Sequence, residues 1–151
     1  FALDYADKYS VAYGGAFDMV RHPKHPFIFA TLDGRLTEVK TGRKGILEIK
    51  TTSILRSMQK EKWWKDGKPA IPDQYYCQVL WQMIASGFGF AVLHAQFRYE
   101  YGEEPRFERR TYTIERSEVA DDLAYLEAAG VKFWTENVMG GREPDLILPE
   151  I

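Results

Sequence analysis

Apolar and charged residues alternate through Gly45-Ile46-Leu47-Glu48-Ile49-Lys50-Thr51, a stretch rich in β-branched side chains. A period of two is the mark of a β-strand, and it puts Glu48 and Lys50 on one face with Cα atoms ~6.7 Å apart. Upstream, Phe27-Ile28-Phe29-Ala30-Thr31-Leu32 is a second apolar strand that ends on Asp33 and the turn residue Gly34. Arg35 to Lys40 extends the pairing, and Thr41-Gly42-Arg43-Lys44-Gly45 carries the glycines of a hairpin loop. Asp33 and Glu48, with fourteen residues between them, are therefore expected on antiparallel neighbours, close together in space.

The rest of the chain falls into elements by the same reasoning. Residues 1–13 are aromatic-rich and read as the end of a helix broken by Gly14-Gly15, and Ala16 to Arg21 reads as a short strand. The prolines of His22-Pro23-Lys24-His25-Pro26 make a loop. Its two histidines raise a metal site, but with no matching ligand pattern nearby a structural turn is the better reading. Ser53 to Lys65 is polar and basic, a helix or irregular arm ending near Trp63-Trp64. Adjacent tryptophans beside lysines can stack on bases, although one of such a pair is more often core. Pro72-Asp73 opens a helix with Asp73 as N-cap. Its apolar face is Tyr76, Val79, Leu80, Met83 and Ile84, and Tyr75, Gln78 and Gln82 form a second, offset stripe. Ser86-Gly87 ends it. Phe90 to Tyr99 alternates as a strand, with His94 read as hydrogen-bonded structure rather than as a base, and Thr111 to Ile114 is another. Ser117 caps a final helix with Val119, Leu123, Leu126 and Phe133 facing inward, closed by Gly140-Gly141. The order of helices and strands predicts an α/β domain with a mixed central sheet.

Composition narrows the picture. A length of 151 residues suits one domain with a real core, and 45% hydrophobic with 28% charged residues is the balance of a soluble globular protein. No apolar run reaches the ~20 residues of a membrane span, and no signal-peptide pattern opens the chain. The single cysteine, Cys77, rules out an internal disulfide framework and a Cys-rich zinc or iron–sulfur site, and it suggests a reducing, intracellular compartment. The chain opens at Phe1 in what reads as mid-helix, so upstream residues are expected to be missing. Net charge is only −2, yet Arg35 to Lys68 holds ten basic against four acidic residues, while Tyr99 to Ile151 holds six against thirteen. The basic excess surrounds the Glu48/Lys50 strand, where it offers a surface for phosphates; two ordinary solvated faces are the plainer account.

Two bare carboxylates ~4 Å apart near a surface repel by about 4 kcal/mol at an effective dielectric of 20. A divalent cation turns that penalty into attraction, and an ammonium alongside can serve the water beside the ion. The alternative is a surface Glu–Lys pair with an unrelated turn aspartate.

Leu32-Asp33-Gly34, Gly45-Ile46-Leu47-Glu48-Ile49-Lys50-Thr51 and the Tyr75-x-x-Gln78 helix, in that order, resemble the PD-(D/E)XK nucleases. More narrowly, they resemble the YqaJ-type, phage lambda exonuclease-like recombinases. The likeness continues through Trp64, Pro72, the Phe90–Phe97 strand and Phe133-Trp134, and so covers most of the chain. It implies a restriction-endonuclease-like core, a mixed central β-sheet flanked by helices, with residues 1–151 as a single nuclease core lacking N-terminal residues. Thr31 and Leu32 stand where the motif's usual proline would precede Asp33. The acid that the family carries on an N-terminal helix, and its 5′-phosphate ligands, would fall before Phe1.

The resemblance also implies an activity: Mg²⁺-dependent hydrolysis of linear duplex DNA from the 5′ end, leaving 3′ single strands for recombination. Asp33, Glu48 and the backbone carbonyl of Ile49 would hold Mg²⁺ or Mn²⁺. Lys50 would orient the attacking water and stabilise charge on the phosphate, Gln78 would position the site, and Tyr75 would line it. Implied partners are double-stranded DNA, a single-strand annealing protein and two further copies in a homo-trimer, with no membrane. The implied location is the cytoplasm of a bacterial host, with a phage or prophage origin. Alternatives are a structure-specific or restriction-type endonuclease of the same fold, a DNA-binding module that has lost catalysis, and an unrelated α/β protein in which the acids are structural.

Overall fold

A five-stranded sheet runs through the molecule, as seen in a computed structural model that describes residues 1–14, 18–54, 62–65, 68–100 and 104–145. Its strands are β1 (Tyr9–Tyr13), β4 (Gly34–Glu38), β5 (Lys44–Ile54), β8 (Phe90–Tyr99) and β9 (Arg106–Glu115). The sheet is mixed: β5 and β8 are parallel, and the other neighbours are antiparallel. Two small ribbons lie outside it, β2 (Met19–Arg21) with β3 (Phe29–Thr31) and β6 (Trp64–Lys65) with β7 (Lys68–Pro69). Two helices complete the fold, α1 (Asp73–Ser86) and α2 (Ala120–Phe133), the latter running on into a π-helical turn at Trp134–Met139. This α/β arrangement, a mixed central sheet flanked by two helices, is that of a restriction-endonuclease-like core. No helix among the described residues is long and apolar enough to cross a membrane.

The alternation in β5 divides the core in two. Ile46 packs with Val79, Leu80, Met83, Ala91, Leu93 and Phe97 on the side that α1 covers. Leu47 and Ile49 lie on the opposite face with Tyr9, Leu36, Phe90 and Val92. Phe90, Phe97 and Met83 are wholly buried, each worth about 1.5–3 kcal/mol in surface removed from water. The β4–β5 hairpin forms as the sequence predicts, Gly34 pairing with Leu47 and Thr37 with Lys44. Gly42 takes a φ of 72° in its turn, a conformation that costs a glycine little.

Four expectations are corrected. Residues 1–13 do not end in a helix. Amide bonds from Tyr5 to the Phe1 carbonyl and from Tyr9 to the Tyr5 carbonyl make helical turns, after which Tyr9–Tyr13 becomes an edge strand paired with β4. Asp73 is not the N-cap of α1: the helix follows Pro72 with no side-chain cap, and Asp73 sits in its first turn, where a negative charge suits the helix dipole. Ser117 does not cap α2, which starts at Ala120 after Val119. Phe133 is half exposed rather than inward; the ring that turns in beside it is Trp134, stacked on Phe27 at 4.8 Å. The arm expected over Ser53 to Lys65 begins as the end of β5, and residues 55–61 lie outside the described residues. Likewise only Met19–Arg21 of the strand expected from Ala16 to Arg21 is described in full as strand. The helix α1 ends where expected, on Gly87 with φ 71° and its N–H donating to the Met83 carbonyl, the left-handed cap that glycine favours.

Candidate active site

Three elements converge on Glu48. Strand β5 turns Glu48 and Lys50 toward α1, and α1 answers with Tyr75, Gln78 and Gln82 on one stripe. Asp33 lies one residue before β4, a step beyond the Gly34–Leu47 pair, and so falls opposite Glu48. Glu48 is 2% exposed, a burial that a carboxylate tolerates only when paired and hydrogen-bonded. It is both. The Lys50 ammonium lies 2.6 Å from Glu48 Oε1, and Gln78 Nε2 donates to the same oxygen at 2.7 Å. Gln78 Oε1 in turn accepts from Lys50 Nζ at 2.9 Å. One amide thus bridges cation and anion, and its orientation is fixed because only its N–H end can face the carboxylate. Gln82 Nε2 donates to the other oxygen, Glu48 Oε2, at 2.7 Å. Lys50 also lies over the Tyr75 ring, 4.8 Å from its centroid.

Asp33 is held differently. It is exposed, and its Oδ2 accepts the Ile49 amide at 2.8 Å. The β4–β5 ladder has ended by this point, so the Asp33 side chain takes the place of the next strand residue. Within a strand, one residue's N–H and C=O point to the same edge, so the Ile49 carbonyl faces the side from which Asp33 approaches. An open cleft of about 450 Å³ lies beside this constellation, with Thr31, Cys77, Gln78, Trp81 and Gln82 among its walls. A second, of about 380 Å³, is lined by Lys62, Trp64, Lys65 and Asp73. Gln74 lines both.

The structure therefore brings Asp33, Glu48, Ile49, Lys50, Tyr75 and Gln78 together. The residue that sequence reasoning left without a role is Gln82; its only signal was a place one turn beyond Gln78. The tryptophan pair divides: Trp63 is core, packed edge-on to Phe97 at 4.9 Å, and the Arg110 guanidinium covers Trp64 at 3.7 Å. His94 accepts or donates to Thr111 Oγ1 at 2.8 Å on the face away from Glu48. Burial, followed by the nearby positive charges, holds its pKa below the ordinary value. It is a structural histidine.

A second cluster joins the two loop histidines to Glu127 of α2, His22 Nε2 at 3.5 Å and His25 Nε2 at 3.9 Å from its carboxylate. His22 Nδ1 accepts the amides of Lys24 and His25 at 3.2 and 3.1 Å. With Nδ1 accepting, Nε2 is the nitrogen left to donate, and it faces Glu127. A metal-ligating histidine instead donates from its second nitrogen, so the cluster is built as a hydrogen-bonded turn.

A family model for the YqaJ-like viral recombinase domain matches residues 3–89, more than half of the chain and every residue of the Glu48 constellation. The chain belongs to the YqaJ-like viral recombinase family. It is also 32% identical over 133 residues to "Uncharacterized protein YqaJ" of Bacillus subtilis (strain 168), an alignment covering 85% of this chain. The chain spans about a third of that relative's length, the aligned part being 35% of it. The YqaJ-like family is a nuclease family tied to viral recombination, and the match ends as β8 begins.

Proposed function

We propose that this chain carries the catalytic core of a metal-dependent DNA exonuclease that degrades linear duplex DNA, 5′ to 3′, leaving 3′ single strands for recombination. The observation that carries the reading is the buried Glu48 carboxylate held by Lys50 and Gln78, with Asp33 opposite it at the end of the hairpin. The donor set fits a hard cation: the Asp33 carboxylate, one remaining lone-pair direction on Glu48 Oε2, and the Ile49 carbonyl are all oxygens suited to Mg²⁺ or Mn²⁺. When bound there, the cation supplies Lewis-acid polarisation of the scissile phosphate and lowers the pKa of water.

The remaining work falls to the chain itself. Lys50 is fixed by Gln78 Oε1 and Glu48, so its ammonium is preorganised to orient the attacking water and to meet charge on the phosphate oxygens. Gln78 holds the lysine with its carbonyl and the acid with its amide, and so couples their positions. The Lys62/Lys65 cleft adjoins the site through Gln74 and supplies positive charge for the duplex backbone. A single-strand annealing protein would receive the product strand, and a homo-trimer would retain the duplex.

The test uses the full-length protein with 5′-phosphorylated linear duplex and covalently closed circular DNA, in Mg²⁺ and in EDTA, beside a Lys50→Ala variant. Loss of the linear duplex alone, requiring metal and Lys50, is the expected result, and strand-specific labels then report polarity. Cutting of the circle would replace the proposal with an endonuclease. Binding without cleavage would replace it with a DNA-binding module.

A further inference from the structure

We propose that Gln82 is a positioning residue that locks the Glu48 carboxylate to the strand leading into Asp33, so that both acids present their oxygens to a divalent cation as one rigid set. The inference rests on the reading of Asp33 and Glu48 as metal ligands.

Gln82 is 2% exposed and sits on α1 between Leu80 and Met83, both buried in the core. Its Nε2 donates in two directions, to Glu48 Oε2 at 2.7 Å and to the Thr31 carbonyl at 3.2 Å. Thr31 ends β3, two residues before Asp33. One amide nitrogen thus ties the segment that delivers the first acid to the side chain of the second. Lys50 and Gln78 both act on Oε1. The terminal torsion of a glutamate is broad when nothing fixes its second oxygen, and Gln82 is what fixes it here.

The chemistry of the side chain supports positioning over packing. Gln82 Oε1 is buried and accepts no hydrogen bond from the described residues. A methionine or leucine would fill this place in an apolar helix face without burying such an atom. An amide, unlike a lysine or arginine, also holds the second carboxylate oxygen without adding another positive charge to the one that Lys50 already brings to Glu48. Residues that orient metal ligands in this way typically govern affinity or activity by about 10–100-fold.

The experiment compares wild type, Gln82→Met and Asp33→Asn in the full-length protein by thermal melting, by Mn²⁺ titration without DNA, and by kcat and KM on linear duplex. Gln82→Met is expected to fold but to melt below the wild-type temperature, because Glu48 Oε2 and the Thr31 carbonyl lose their donor. It should bind Mn²⁺ about tenfold more weakly and lose kcat about 10–100-fold, with KM for DNA within twofold. If Gln82→Met does not fold, Gln82→Asn, which keeps the amide but withdraws it by one methylene, is read in the same way. Unchanged Mn²⁺ affinity and kcat in a folded Gln82 variant would overturn the inference while Asp33→Asn still loses metal. Unchanged Mn²⁺ binding in Asp33→Asn would remove the ligand reading on which the inference stands. Gln82-dependent Mn²⁺ binding in a protein that cleaves no DNA would uphold the positioning role and overturn the nuclease.

Discussion

Burying the Glu48 carboxylate carries a desolvation penalty of several kcal/mol, and Lys50, Gln78 and Gln82 together offset it. Removing the cation alone leaves the charge unmatched. Lys50→Met should therefore destabilise the fold by about 1–3 kcal/mol in urea unfolding, whereas Glu48→Gln/Lys50→Met should regain most of that loss and stay inactive. The difference between the two measures the pair directly. A second residue-scale effect belongs to His94, whose pKa burial lowers from 6.5. The unfolded chain takes up this proton first, so the contribution of neutral His94 is complete above pH ~6.5 and declines as pH falls toward the folded-state pKa. His94→Gln should flatten the stability-versus-pH curve over that window, as read by denaturation at a series of pH values. At this scale the grouping of Asp33, Glu48, Lys50 and Gln78 was legible because their order and spacing are a pattern, and the structure places them side by side. Gln82 was not legible: a glutamine beside an apolar stripe does not say whether it faces solvent or a buried acid.

Elements were legible where one local period was decisive. The alternation of β5 and β8 and the 3.6-residue face of α1 each match one template, and the hairpin between β4 and β5 has its glycines in place. The N-terminal segment was misread because β1 is an edge strand that exists through its pairing with β4; no local signal announces a partner more than twenty residues away. The helix starts slipped for a related reason, since Asp73 and Ser117 have cap chemistry but the backbone enters each helix from Pro72 and Val119. What joins the two helices was also hidden. Tyr76 of α1 donates to Asp122 of α2 at 2.6 Å, and burial together with that acceptor pushes its pKa up to about 12. Tyr76→Phe should lower stability by about 1 kcal/mol, visible as a fall in Tm, while leaving Mn²⁺ binding unchanged.

For the molecule as a whole, the count of charges overstated the basic surface. Arg35 is paired with Asp18, and Arg43 with Glu38 and with Glu115 of the acidic C-terminal half. Lys50 is taken up by Glu48. Among the described residues, the basic side chains that line a cleft by the site are Lys62 and Lys65. Replacing both with glutamine should weaken duplex binding without sequence preference and reduce the salt slope of log K by about 2, as measured by anisotropy over a range of salt. The fold class was legible from element order, but which charges cancel depends on the sheet order β1-β4-β5-β8-β9, which brings together Arg43 and Glu115, 72 residues apart in sequence. The same order has one more result. Strand β5 continues to Ile54, whereas β4 accompanies it only from Lys44 to Leu47, so a row of hydrogen bonds stops in mid-strand and something must close it. The closing group is Asp33, through its bond to the Ile49 amide. The acid proposed for chemistry is thus also the selvedge of the sheet, and a chain that discarded the reaction would still have a use for an oxygen at that position.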